Sequence, residues 1–198
     1  MVAMTAAQTS AEADMPTGQP LTIDDLDLLP DDGNRYELDD GVLLVSPPPT
    51  VGHRRVVHRL AVTLDAACPA DFEVLPGSGV QISQIQYRIP DIVVIRAGDV
   101  GFRDKSVTIP PVLAVEVLSP STGIYDRNRK KDVYAAFGIA SYWIVTPDLN
   151  KPAITAFDLR DDEYELVADV GCDDPFAWTR PFDCEIVPAA LVAGTWRQ

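Results

Sequence analysis

The chain has 198 residues, is 46% hydrophobic and carries a formal net charge of −14. Such a length and composition suit one soluble globular domain with a single sizeable core. No apolar run approaches the roughly 20 residues needed to span a bilayer, and no membrane partner is expected. The acidic balance argues against a general nucleic-acid binder, because phosphate contacts need lysine and arginine.

The charge is unevenly spread: residues 1–50 have a net of −9, residues 51–140 a net of +2, and residues 141–198 a net of −7. The basic part of the chain is therefore its middle. Cys68, Cys172 and Cys184 are odd in number and lack ligand spacing. Neither a structural zinc nor a disulfide framework is expected, and a reducing cytoplasm is the simplest setting. The first twenty residues have neither the basic start nor the apolar centre of a secretory signal. They read as a disordered leader over residues 1–19, followed by one domain over 20–198.

In chain order, Thr22 is placed to cap a short acidic helix within Leu21–Leu29, which Pro30 stops. Arg35–Leu38, the turn Asp39-Asp40-Gly41 and Val42–Val45 predict a β-hairpin. Residues 50–67 predict an amphipathic helix, with Val57, Leu60 and Leu64 on one stripe and Arg54, Arg55 and Arg59 off it. Phe72–Leu75 and Val80–Ser83 read as strand pieces. Asp91–Ile95 and Val112–Leu118 read as central strands, by their continuous apolar character. A helix over about 126–137 ends at Gly138. Tyr142–Val145 follows as a strand, then a hairpin of Ala153–Leu159 and Glu163–Ala168, a strand near Cys184–Val187 and a short terminal helix. The order predicts an α+β fold, a mixed sheet flanked by two main helices.

The central strands each carry a carboxylate. Asp91 opens the first and Glu116 sits inside Val-Leu-Ala-Val-Glu-Val-Leu. A buried carboxylate is costly unless paired, hydrogen-bonded or metal-bound. One reading is that Asp91 and Glu116 together hold a divalent cation, since magnesium usually takes one or two carboxylates and fills the rest with water and phosphate. The other is that Asp91 caps a turn after Pro90 and Glu116 pairs with an arginine. Lys130 stands with Val133, Tyr134 and Phe137 at i, i+3, i+4, i+7, which aims an ammonium group along the apolar stripe. It either meets an anionic partner inside or snorkels to solvent. Glu37, in Tyr-Glu-Leu, reads by itself as facing water. His53 and His58 lie five apart, off a common face, and read as helix-surface or phosphate-contact residues. Ser119, Ser121 and Thr122 read as cap and loop residues.

These pieces resemble a known group. Tyr36-Glu37-Leu38 with Gly41, Pro90-Asp91-Ile92-Val93-Val94, and Glu116-Val117-Leu118-Ser119-Pro120-Ser121-Thr122 are its first half. Asp126 through Lys130 to Tyr134, and Gly138 through Tyr142-Trp143-Ile144-Val145 to Pro147, are its second. Over roughly residues 20–190 they look like the Uma-two group of endonucleases, within the PD-(D/E)XK restriction-endonuclease-like superfamily. The resemblance implies a restriction-endonuclease-like mixed sheet, magnesium or manganese, and phosphodiester hydrolysis. It implies Asp91 and Glu116 as metal ligands, Glu37 as an auxiliary acid near the metal, and Lys130 as the charge-stabilising lysine. In the wider superfamily that lysine lies two residues after the glutamate, where this chain has Leu118; the Uma-two pattern moves it to the following helix. Ser141 and Thr146 stand where the group commonly has acidic residues.

The expectation is thus a metal-dependent DNA endonuclease, cytoplasmic, with Arg54, Arg55, Arg59 and Arg127 as phosphate contacts and a homodimer by analogy with the superfamily. Two alternatives remain open at this point. One is a catalytically idle module of the same fold that binds nucleic acid or protein. The other is a hydrolase of small phosphoesters.

Overall fold

In the computed structural model, which describes residues 18–119 and 124–194 (with side chains from 128 onward in the second stretch), the chain opens with α1 (Ile23–Leu26). The carboxylate of Asp25 accepts from both the backbone N–H and the hydroxyl of Thr22 and holds this one acidic turn. The leader expected over residues 1–19 lies outside the described residues except for its last two. The hairpin forms as β1 (Arg35–Asp39) and β2 (Val42–Ser46). Its turn residues, Asp40 and Gly41, have φ of 50° and 78°, the left-handed pair that tight hairpins require.

Thr50 caps α2 (Val51–Ala67) by accepting from the N–H of His53. The helix buries His53, Val56, Leu60, Ala61 and Leu64. There follow β3 (Phe72–Pro76), β4 (Val80–Ser83), β5 (Gln86–Arg88), β6 (Ile92–Arg96) and β7 (Leu113–Val117). The next helix is α3 (Ile124–Phe137), after which Gly138, at φ 91°, turns the chain while its N–H bonds back to Tyr134 and Ala135. The rest is β8 (Ser141–Thr146), β9 (Ala153–Arg160), β10 (Glu163–Gly171), β11 (Phe176–Trp178), β12 (Cys184–Ile186) and α4 (Pro188–Val192).

Six strands make the main sheet, in the order β10-β9-β8-β7-β6-β3. It is mixed: β7 and β8 run parallel, joined by α3, and the other neighbours are antiparallel. β6 and β7 are buried on both faces, as their unbroken apolar runs require. One face presents Ile92, Val94, Leu113, Val115 and Val117 to Val56, Leu60 and Leu64 of α2. The other presents Val93, Ile95 and Ala114 to Val133 and Tyr134 of α3. The predicted mixed sheet between two main helices is therefore present.

The N-terminal hairpin does not join that sheet. It pairs with β5 in a separate antiparallel sheet of order β2-β1-β5-β4, and β11 pairs with β12 in a third. Strands β5 and β11 have three residues each, too short to leave a period in the sequence. The helices of the described residues are not long and apolar enough to cross a membrane.

Candidate active site

Asp91 lies immediately before β6, where the pairing Ile92↔Val115 ends the ladder with β7. One step further along this register Asp91 stands opposite Glu116. Beyond the ladder the N–H of Val117 has no strand partner on that side, and Oδ2 of Asp91 accepts it at 2.8 Å. Arg35 of β1 donates to Oδ1 at 2.9 Å, and Nε2 of His53 sits 3.2 Å from Oδ2. Asp91 is 3% exposed. Burial pushes its carboxyl upward, but the hydrogen bond and charge of His53, the charge of Arg35 and the Val117 N–H hold it below the ordinary value.

Glu116 points to the α3 face and is buried. Lys130 donates to its Oε1 at 3.1 Å and the Tyr134 hydroxyl donates to the same oxygen at 2.8 Å. The carboxyl is pushed up to about 7. Burial is the main cause; Lys130 opposes it, Asp91 and Glu37 add to it through their charges, and the Tyr134 hydrogen bond opposes it weakly. Tyr134 itself is driven well above its ordinary value, by burial first and then by the nearby carboxylates, so its hydroxyl remains a donor.

Glu37, from β1, completes the group. Its Oε1 accepts the Ile89 N–H at 2.6 Å and lies 3.9 Å from Nζ of Lys130. Glu37 and Lys130 are 8% and 9% exposed. The sequence reading of Glu37 by itself, as facing water, is thus overturned, and Lys130 turns inward rather than snorkelling. Glu116 pairs with a lysine, not an arginine; Asp91 is the carboxylate that meets an arginine.

His53, expected as a helix-surface or phosphate-contact residue, is instead buried, with Nε2 2.9 Å from the carbonyl oxygen of Val117 as well as beside Asp91. His58 is exposed. Of the arginines expected to face phosphate, Arg54 is exposed and Arg55 half-buried. Nη1 of Arg59 donates to the carbonyls of Ala190, Leu191 and Ala193 around the end of α4. The Arg127 side chain, and Ser121 and Thr122, lie outside the described residues. Arg35, His53 and Tyr134 are the contacts that the residue-by-residue reading did not assign to the site.

Among the described residues no three His, Cys, Asp or Glu side chains close into a ready-made metal cage. The donor chemistry nevertheless fits a hard divalent cation that takes one or two carboxylates and otherwise water. Asp91 and Glu116 offer oxygen ligands from adjoining strands. Burial lifts Glu116 to about 7, and the charges of Asp91 and Glu37 add to the lift against that of Lys130, so a cation bound beside Glu116 would favour its ionised form.

A mixed sheet between two helices, carrying an acidic pair at the end of its central strands, defines a restriction-endonuclease-like α+β protein. A solved structure agrees: a "putative nuclease" from Anabaena variabilis aligns with a TM-score of 0.61 at 16% identity, over 79% of this chain and 86% of its own. A sequence profile of the Uma2 family, described as "Putative restriction endonuclease", matches residues 23–179, and the chain belongs to that family. No curated protein matches it.

Proposed function

We propose that this chain is a metal-dependent endonuclease that hydrolyses phosphodiester bonds of DNA. The observation that carries the proposal is the meeting of Lys130 with Glu116, 3.1 Å apart and buried, beside Asp91 and Glu37. Asp91 and Glu116 would hold Mg²⁺ or Mn²⁺, with Glu37 reaching it through water. When bound, such an ion supplies an activated water and neutralises charge developing on the phosphate.

The chain's own groups have distinct tasks. His53 and Arg35 keep Asp91 ionised and fixed. Tyr134 and Lys130 orient Glu116 from one side, since both bond Oε1. Lys130 positions the attacking water and stabilises the charge of the pentacovalent phosphorus, acting as an electrostatic group rather than a free base. Arg54 and Arg127 contact flanking phosphates. A homodimer would cut both strands, and the cytoplasm is the proposed setting.

The test is plasmid nicking with Mg²⁺ or Mn²⁺, comparing wild type with Asp91→Ala, Glu116→Ala and Lys130→Ala. Each substitution is expected to abolish nicking. Equal behaviour of wild type and all three variants sinks the proposal. Turnover of small phosphodiesters without nicking would make the chain a small-phosphoester hydrolase. Metal-independent DNA binding without cleavage would make it an idle module.

A further inference from the structure

We infer that Arg129, through its ion pair with Asp39, is the residue that positions Lys130. The inference rests on the nuclease reading for its consequence, but its geometry stands apart from that reading. Glu37 and Asp39 are two apart on β1 and so share a face. Successive residues of α3 meet them: Lys130 approaches Glu37 at 3.9 Å, and Arg129 grips Asp39. The grip is a fork, with Nε 3.0 and 3.1 Å from the two carboxylate oxygens and Nη2 2.9 Å from Oδ1. Nη2 also bonds the carboxylate of Asp40. Two-pronged pairs of this kind fix orientation as well as distance.

Asp39 is itself held from behind. The fully buried Arg88 places Nη2 2.7 Å from its Oδ1, and Gln86 donates to the same oxygen at 3.1 Å. Gln86 also accepts the Asp40 N–H at 2.8 Å, which ties the turn to β5. Burial works against ionisation of Asp39, yet Arg129, Gln86 and Arg88 together hold it below its ordinary value. A carboxylate so braced is a fixed post.

Why Lys130 needs the post follows from where it is mounted. A lysine on β7 would be located by the strand ladder, whereas α3 is set against the sheet by side chains. At about 100° per residue, Arg129 and Tyr134 stand about 140° apart around the helix, and Lys130 falls between them. Tyr134 is fixed to Glu116 and Arg129 to Asp39. Together with the packing of Val133 and Tyr134 against the sheet, those two points hold α3 at the rotation that turns the Lys130 ammonium toward Glu116 and Glu37. A partly exposed ion pair adds little to global stability, and Asp39 keeps Arg88 and Gln86 when Arg129 is lost, so the expected loss is of placement, not of folding.

The experiment uses Arg129→Met, in which Asp39 keeps Arg88 and Gln86, with Arg129→Lys as the conservative variant. Acetylation of Lys130 in the native protein, followed by mass spectrometry, reads its placement without reference to activity. We expect several-fold faster labelling in Arg129→Met, partial protection in Arg129→Lys, and thermal unfolding close to wild type. On plasmid, kcat is expected to fall roughly ten- to hundredfold with KM unchanged, the usual penalty for slight misplacement, and Arg129→Lys to recover part of it. Unchanged labelling overturns the inference, as does a raised KM with normal kcat, which would make Arg129 a substrate contact. A wild type without nuclease activity sinks the functional reading alone, because the labelling result stands either way.

Discussion

Nε2 of His53 lies 3.2 Å from Oδ2 of Asp91 and 2.9 Å from the carbonyl oxygen of Val117. One ring nitrogen thus faces two acceptors at the end of the central ladder, an arrangement that favours imidazolium. Burial opposes the charged ring, but the hydrogen bond and charge of Asp91 and the Val117 carbonyl outweigh it, and the pKa lies above the ordinary 6.5. Titration of the His53 ring by NMR should show that elevation. In Asp91→Asn the burial, the Arg35 charge and the Val117 carbonyl remain while the Asp91 charge is lost, so the value should fall. With Asp91 ionised, the pair's contribution to stability is full up to 6.5 and fades as pH rises through the elevated value of His53; it is lost again in acid, as the depressed carboxyl of Asp91 takes its proton. An identical titration in Asp91→Asn would refute this account.

Glu116 has the opposite linkage. Its pKa rises on folding from an ordinary 4.5 to about 7, so the native state holds a proton that the unfolded chain has released. Over that window stability falls as pH increases, by a few kcal/mol in total. Glu116→Gln should flatten this part of the stability curve and make the metal-free protein more stable at pH 8. Tyr134→Phe removes a hydrogen bond that favours the ionised carboxylate and should extend the decline to higher pH. Chemical denaturation across pH 4–9 measures both, and a wild-type curve that rises through this interval would contradict the mechanism.

Why some of the site was legible and some was not has a physical cause. Asp91 and Glu116 stand out because a carboxylate in an unbroken β-branched run conflicts with its surroundings. Lys130 stands out for the same reason on a helical stripe. His53 carried that signal too: with Val57, Leu60 and Leu64 it falls at i, i+4, i+7, i+11, the buried face of α2. The partner that matters, Asp91, comes from another element, so the helix alone does not reveal it. Arg35 and Ile89 reach the site only through tertiary pairing of the hairpin, and no local pattern encodes that. The separate four-stranded sheet was equally silent, since its closing strand, β5, has three residues.

The arginines of α2 can be separated by salt. Arg59 spends Nη1 on three carbonyls, at 3.0, 3.0 and 2.6 Å, that terminate α4. Arg59→Ala should therefore lower stability by about 1–2 kcal/mol through loss of this cap. It should leave the salt dependence of DNA affinity almost unaltered. Arg54 is exposed on the same helix, and Arg54→Ala should weaken DNA binding and reduce the slope of log K against log salt by about 1. Binding titrations at several ionic strengths decide the matter; a full unit of slope lost in Arg59→Ala would reassign it to phosphate.

Gly41 links the hairpin to the site, because it follows the two acids that Arg129 grips. Its φ is 78°, and a Cβ there would lie 2.3 Å from Cβ and 2.8 Å from Cα of Pro20. Its N–H donates to the Ile85 carbonyl at 2.8 Å and its own carbonyl accepts the Leu21 N–H at 2.9 Å, so neither side can retreat without losing a bond. Gly33 is the natural control: its φ is 83°, but the nearest atom to a Cβ, Cγ of Pro48, is 3.7 Å away. Gly33→Ala should cost only the left-handed strain, about 1 kcal/mol. Gly41→Ala adds the collision with backbone and should cost about 3 kcal/mol or more. At about 2–4 °C per kcal/mol for a domain of this size, thermal melts resolve the two variants clearly. Because the hairpin carries Asp39, Gly41→Ala should also speed Lys130 acetylation while Gly33→Ala leaves it unchanged. Equal melting points for the two variants would show that the turn can shift away from Pro20, and the hairpin would then not be the rigid mount that this reasoning requires.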